Sequence, residues 1–353
     1  MRKTVMISGV LAVIGLAAGT FAPAQSAFAA DQLTVTHGGG SFGKALRKDV
    51  FDPFTNKTGI KITETEYDYN TAKLRAMVET NTVIWDVVYV VEASIKRLCD
   101  EGLIETIDWK KLGLDRDKFQ GGDHADCGVP THFSANVVAY DTDKLPNGPK
   151  TIADFFDLKK FPGKRGLYKS PDINLEWALM ADGVPAKDIY KVLNTPEGVD
   201  RAFKKLDTIK KDVVWWTAGA QPAQLLADGQ VVMSQAWNGR VYAAVKNSGQ
   251  HFAIMWDGAM VNGNALVIPK GAQHLEDAYK FLAFAGLPRV QADVANDTAS
   301  PPANKDAVAL VDPAIRPFSN APANVGEAIP VDSRFWAEKI DEMRQRFTSW
   351  LAQ

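Results

Sequence analysis

The segment from Val213 to Gly271 constrains the fold more than any other part of this chain. It reads VVWWTAGAQPAQLLADGQVVMSQAWNGRVYAAVKNSGQHFAIMWDGAMVNGNALVIPKG, with β-like runs alternating with short helix-like runs. Such alternation calls for an α/β architecture, because each helix must bury an apolar stripe against a sheet. Polar groups stand where the period changes: Trp216-Thr217, Trp237-Asn238-Gly239-Arg240, and Asn262-Gly263-Asn264. In open α/β sheets the ligand sits at strand ends. With no catalytic signature in the run, capture of a small solute is the first expectation.

The rest of the chain has the same grammar. A strand at Leu33–Thr36 turns through His37-Gly38-Gly39-Gly40-Ser41 into a helix, whose Phe42, Leu46, Val50 and Phe54 fall on one face. Pro53 is expected to end or kink that helix, and Gly59 to close the unit. Ile60–Thr65 alternates as a strand, Thr71–Glu79 is helical, and Trp85–Val91 reads as a buried strand. A long extended segment follows, Gly128–Asp141, and later a second extended segment, Ala265–Pro269, leading into a helix, His274–Ala285. Two crossings of this kind imply a discontinuous first lobe, residues 31–135 plus 265–353, around a second lobe, residues 136–264. Two sequential domains are the alternative.

Arg2 and Lys3 precede an apolar run from Val5, and Ala27-Phe28-Ala29 supplies an A-x-A cleavage pattern. Residues 1–30 are therefore expected to be a cleavable signal peptide, and the mature protein to be periplasmic. No Cys follows the apolar run, which excludes lipid attachment there. Loss of Arg2 and Lys3 takes the net charge from −2 to −4, giving nucleic acid or an anionic membrane no electrostatic purchase. Cys99 and Cys127 would close a loop of roughly 29 residues if bonded, contributing ~3.6 kcal/mol through lost chain entropy. Two separate buried thiols are the other reading. His124 and His132 lack the paired spacing of a zinc site. No metal and no cofactor is expected.

The order of the motifs resembles the periplasmic solute-binding proteins of ABC importers, in particular the spermidine/putrescine-binding branch. TGIKIT after the first helix, WDVVYV followed by LCDEGLIETID, and DGQVVMSQAWNGRVYAAV followed by ALVIPKGA carry the likeness. It spans essentially the whole mature chain. It implies a type II two-lobed α/β fold, with discontinuous lobes joined by hinge strands and an interlobe ligand cleft. It further implies hinge closure around one solute, delivery to a membrane permease, and a monomeric protein. His132–Asn136 and Gly263–Leu266 are the hinge candidates.

The likeness also shows departures. Where polyamine binders of the family hold acids and aromatics, this chain has Ser170, Asn262, Asn264 and Ser300, with Gly39-Gly40-Ser41 replacing an aromatic contact after the first strand. Removing acids takes away the charge that offsets desolvation of ammonium groups. Arg240, shared with the relatives that bind gamma-aminobutyrate, suits a carboxylate through its bidentate fork. The turn at Gly40 and Ser41 offers backbone N–H groups, and Trp237 offers an aromatic wall. Thr217 and Gln221 stand at a helix entrance, Glu92 faces a ligand ammonium, and His37 donates to a carboxylate. Ser134 and Asn238 complete the candidate set. A small carboxylate or amino-carboxylate is thus preferred to a polyamine. A periplasmic enzyme is the rival class, but no G-x-S-x-G, H-E-x-x-H or Cys-His nucleophile constellation supports it. Tyr67, Tyr69, Tyr89, Tyr140 and Tyr168 are too scattered to call for iron capture. Trp215, Trp256 and Trp336 are expected to pack.

Overall fold

The first and last strands of the alternation meet in one curled sheet. The computed structural model describes residues 32–120, 126–325, 328, 329 and 331–353; the expected leader and His124 lie outside them. Among the described residues the strands are β1 (Gln32–His37), β2 (Lys61–Glu66), β3 (Val87–Val91), β4 (Val129–Asp141), β5 (Arg165–Tyr168), β6 (Val213–Trp216), β7 (Met233–Trp237) and β8 (Phe252–Val267). Their spatial order is β2-β1-β3-β8-β4-β7-β5-β6. Both flanks are parallel, β1 with β2 and β3, and β5 with β6 and β7. The middle is antiparallel: β8 pairs with β3 at one end and lies along β4, which pairs with β7 at the other. β4 and β8 therefore belong to both lobes of a type II binding-protein fold. Their ladder is irregular between Pro130 and His132 and again between Asn136 and Val138.

Strand alternation sorts side chains to two faces. Val87 and Tyr89 of β3 join Leu46, Val50, Phe54 and Phe281 on one face. Val88 and Val90 join Leu74, Met77, Ile95 and Leu98 on the other. The first face is covered by Gly40–Thr58, Leu275–Ala285 and Pro288–Thr298, the second by Ala72–Glu79 and Glu92–Asp100. Pro53 does not end its helix. A π-helical turn, Arg47–Phe51, widens the ladder just before it, so the proline enters as the first turn of Asp52–Thr58 and no N–H is missed.

The terminal helix Ser333–Leu351 lies against the second lobe. Its Phe335, Trp336, Met343, Phe347 and Trp350 share a core with Trp177, Tyr190 and Phe203. The anchor is a buried acid: Glu176 Oε1 accepts the Tyr190 hydroxyl at 2.8 Å and the Trp336 indole N–H at 2.8 Å. Burial pushes the Glu176 carboxyl up to about 7 against the pull of these donors. Cys99, near the end of one helix, and Cys127, just before β4, form a disulfide with Cα atoms 5.9 Å apart.

Two predictions follow from these anchors. Serine at both Cys99 and Cys127 should cost about 3.6 kcal/mol by the loop-entropy argument, read from urea unfolding; a loss below about 1 kcal/mol would remove the bridge as a stabilising element. Glu176 holds its proton longer in the folded than in the unfolded state. Its contribution is therefore fully present below the ordinary carboxyl range and is lost as pH rises through about 7. Glu176→Gln should flatten the decline in melting temperature between pH 5 and 8 relative to wild type, as measured by calorimetry.

Candidate functional site

The carboxyl ends of β1, β3, β5, β6 and β7 open onto one cleft between the lobes, a cavity of about 710 Å³. Nine sequence candidates line it: Ser41, Ser134, Ser170, Thr217, Trp237, Arg240, Asn262, Asn264 and Ser300. Arg240 is its principal feature. It sits in the first turn of the helix Asn238–Ser248 and reaches across to the opposite lobe. Its guanidinium donates to the carbonyls of Gly38 at 3.0 Å and Gly39 at 2.8 Å and to Ser41 Oγ at 3.1 Å. Burial holds its pKa below the ordinary value, partly offset by Tyr69 and Glu66. Among the described residues no carboxylate lies within ion-pair distance of it.

The glycines of the turn make this approach possible. A Cβ on Gly40 would stand 2.3 Å from the Arg240 guanidinium nitrogen. One on Gly38 would stand 2.4 Å from the Tyr69 ring, and Gly39 has φ 59° with the Glu66 carboxyl at 2.2 Å from its would-be Cβ. Further contacts of the same helix tie the lobes: Lys246 Nζ reaches Asp297 Oδ1 at 3.0 Å, and Tyr242 donates to the Asn296 carbonyl at 3.2 Å.

The other five candidates stand behind the lining, and their positions have plain causes. His37 is buried. Its Nδ1 accepts the Gly39 N–H at 3.0 Å and its Nε2 meets Glu64 at 3.1 Å, so it shapes the turn instead of meeting solute. Desolvation lowers its pKa, with Glu64 acting in the opposite direction. Gly40 is exposed, with the Arg240 side chain on the side where a Cβ would stand. Glu92 accepts the Gly263 N–H at 3.1 Å, holding β8 to the start of its own helix. Gln221 caps the N–H groups of Thr217 and Ala218 at 2.7 and 2.8 Å. Asn238 is fully buried, accepting from Ala135 N–H and donating to the Ala299 and Phe318 carbonyls.

The structure adds residues that the sequence reading left out. Tyr69 and Tyr168 flank Trp237, with ring centroids 6.3 and 6.4 Å from it, and buried Trp216 backs Tyr168 at 4.8 Å. Tyr69 adopts φ 63°, a conformation costly for a bulky side chain, at the point where it overlies Gly38. Asp68 and Asp172 line the same region, with Lys169. Tyr168 titrates above its ordinary value through burial first, then through the negative charges of Asp172 and Asp68. Asp172 also accepts the Ser170 hydroxyl. The acid expected to be missing at Ser170 thus stands two residues later. His132 lines the cleft between Phe42 and Thr131, and burial drives its pKa down to about 4, so it is a neutral hydrogen-bonding group. Trp336, expected to pack, also walls the cleft. The signal that could have found the two acids is their adjacency to Tyr69 and Tyr168 at strand ends.

A cleft between two α/β lobes that share antiparallel crossing strands, lined at strand ends and bridged by one half-buried arginine, has the form of a solute receptor. The chain belongs to the bacterial extracellular solute-binding protein family, whose model matches residues 49–324. It is a solute-binding protein and not an enzyme. It is 43% identical over 344 residues to a gamma-aminobutyric acid-binding protein of Pseudomonas aeruginosa, covering 97% of this chain and 96% of the relative. The structure resembles that of the PBP from A. tumefaciens B6 in complex with glucopine (TM-score 0.83, 32% identity, 91% of this chain and 99% of that one). It also resembles a GABA receptor structure (TM-score 0.80, 35% identity, 92% and 98%). No helix among the described residues is long and apolar enough to cross a membrane.

The Arg240 bonds run directly from one lobe to the other. Arg240→Ala should therefore increase the radius of gyration of the ligand-free protein, measured by small-angle X-ray scattering. An unchanged radius would show that other contacts hold the lobes together.

Proposed function

We propose that this protein captures a small amino-carboxylate in its cleft and delivers it to an ABC permease, acting as a monomer in the periplasm after removal of residues 1–30. One observation carries the reading: the cleft is bipolar. Arg240 presents a half-buried guanidinium with no carboxylate partner among the described residues, while Asp68 and Asp172 stand beside the aromatic corner of Tyr168 and Trp237. Burying an unpaired charge is costly, so a carboxylate arriving at Arg240 recovers more than it would at an exposed site. At the other pole, the faces of Trp237, Tyr69 and Tyr168 attract an ammonium group, and the two acids neutralise it. Ser41, Ser134, Asn262 and Asn264 supply neutral hydrogen-bonding groups along the way. Their polar atoms orient a ligand without adding charge.

A polyamine fits this cleft poorly. It would set a cation against Arg240, a repulsion that the low dielectric of a closed cleft strengthens. The relative that binds gamma-aminobutyric acid supports the same choice.

We assign lobe one to residues 31–135 plus 265–353, with the terminal helix leaning on lobe two, residues 136–264. The hinges are His132–Asn136 and Gly263–Leu266. The paired stretch between the two ladder irregularities supports this placement, since a broken ladder bends more readily than a regular one. Solute stabilises the closed form through contacts that exist in that form alone.

A thermal-shift panel of gamma-aminobutyrate, other amino acids, dicarboxylates and polyamines tests the reading. Gamma-aminobutyrate or a close amino-carboxylate should raise the melting temperature most. A putrescine response with no carboxylate response would sink it. Arg240→Ala should weaken carboxylate binding by ~2–4 kcal/mol, read by calorimetric titration.

A further inference from the structure

We propose that Asn174 is a positioning residue of the cleft: its side chain holds a strained turn that presents the Asp172 carboxylate to the solute's ammonium group. The inference rests on the reading of Asp172 as a partner of that group and adds what keeps it in place. Asn174 opens the helix Asn174–Ala181 and stands behind the cavity lining, fully buried. Its amide donates to the carbonyls of Tyr168 at 2.8 Å and Ser170 at 2.6 Å. The stretch spanned by these bonds carries Tyr168, Ser170, Asp172 and Ile173, all of which line the cavity.

The turn is not one that its residues adopt by themselves. Ile173 has φ 71° and ψ −45°, close to the strained form of the γ-turn. A β-branched residue at positive φ is a steric outlier, and it persists where surrounding contacts over-determine it. Among the described residues four non-glycines have positive φ. Two of them, Tyr69 and Ile173, line the cavity, and each directly follows an acid that lines it, Asp68 and Asp172.

The contacts that impose the Ile173 conformation come from both sides of the turn. On the helix side, Ile173 packs in the core of Leu175, Trp177 and Trp336, and its carbonyl accepts the Trp177 N–H at 2.9 Å. On the strand side, Gln235 accepts the Tyr168 N–H at 2.8 Å, and the Trp216 carbonyl accepts the Lys169 N–H at 2.9 Å. The Asn174 amide reaches from the first side to the second. Ser170, whose carbonyl it holds, donates its hydroxyl to Asp172 Oδ1. The carboxylate is thus oriented by a residue that Asn174 itself fixes.

Stability does not account for this arrangement. Asn174 Oδ1 is buried with no hydrogen-bond partner among the described residues, and an unpaired buried acceptor is destabilising. A glycine at position 173 would adopt positive φ without strain. What the bonds of Asn174 secure is the direction of Asp172. Without them Ile173 returns to negative φ and the carboxylate turns away from Tyr168.

Competition against tritiated gamma-aminobutyrate, using the mature protein, gives the affinities of gamma-aminobutyrate and of butyrate, which keeps the carboxylate and lacks the amine. Their ratio isolates the ammonium contact from the rest of the cleft. Asn174→Leu should lower the ratio at least about tenfold while butyrate affinity stays within about twofold of wild type. Asp172→Asn should lower it similarly, and the two changes together should go no further than either one, because both act through the same carboxylate. Ile173→Gly added to Asn174→Leu should restore part of the ratio. Asn174→Ser, with one donor for two carbonyls, takes the place of the leucine variant where that one folds poorly. If Asp172→Asn lowers the ratio and the Asn174 variants leave it unchanged or weaken both ligands alike, Asn174 is a structural residue and the proposal falls by itself. If Asp172→Asn leaves the ratio unchanged, or gamma-aminobutyrate does not bind the wild type, the ammonium reading falls and the proposal falls with it.

Discussion

The structure turns on one half-buried guanidinium held across the cleft by backbone carbonyls. Arg240 can lie there because Gly40 has no Cβ to stand in its way, while Gly38 and Gly39 leave room for Tyr69 and Glu66. It is oriented because Gly38, Gly39 and Ser41 accept from it in one turn. The turn in turn has its shape because His37 accepts the Gly39 N–H from beneath. A side chain so placed has two roles. It ties the lobes together, and its uncompensated charge makes the closed cleft attractive to an anion. Both roles depend on low solvent exposure, which strengthens hydrogen bonds and makes unpaired charge expensive.

The two antiparallel strands in mid-sheet make closure mechanically reasonable. β4 and β8 pass through both lobes, and their pairing is interrupted on either side of the stretch that lines the cleft. Each flank has its own core, so each lobe is a packed unit on its side of the crossing strands. The terminal helix adds an asymmetry. Its apolar face is built into the second lobe through Trp336, Phe347 and Trp350, and its other side closes the cleft. Glu176 fixes that helix by accepting from both Tyr190 and Trp336 in a fully buried position.

Much of this was legible in the chain. Periodicity located the helix of Phe42, Leu46, Val50 and Phe54, the buried strand at Val87–Val91, and the first long crossing; the second, expected at Ala265–Pro269, runs from Phe252 to Val267. Where it erred, a neighbouring feature intervened: a π turn let the helix run past Pro53. Strand-end polar residues identified nine of the lining groups, including Trp237 and Arg240. His37, Glu92, Gln221 and Asn238 are of the right chemical type, but local backbone donors claim them first. Such satisfaction depends on which N–H groups come near, and sequence does not state that. Asp68, Tyr69, Tyr168 and Asp172 were passed over because a strand-end position does not by itself say which cleft a residue faces. They matter because β2 and β5 end on opposite sides of the same trough.

Sequence by itself determined the α/β alternation, the doubled extended crossings, the resemblance to a solute-binding family, and the presence of an arginine suited to a carboxylate. Those properties are written in local periodicity and residue type. Tertiary structure alone decided that this arginine is half-buried without a carboxylate partner among the described residues, that two acids and three aromatics line the same cleft, and that the cavity runs on to the terminal helix. The physical reason is that desolvation and charge pairing are properties of neighbours in space. The residues concerned are separated by as many as 202 positions, as Arg240 is from Gly38.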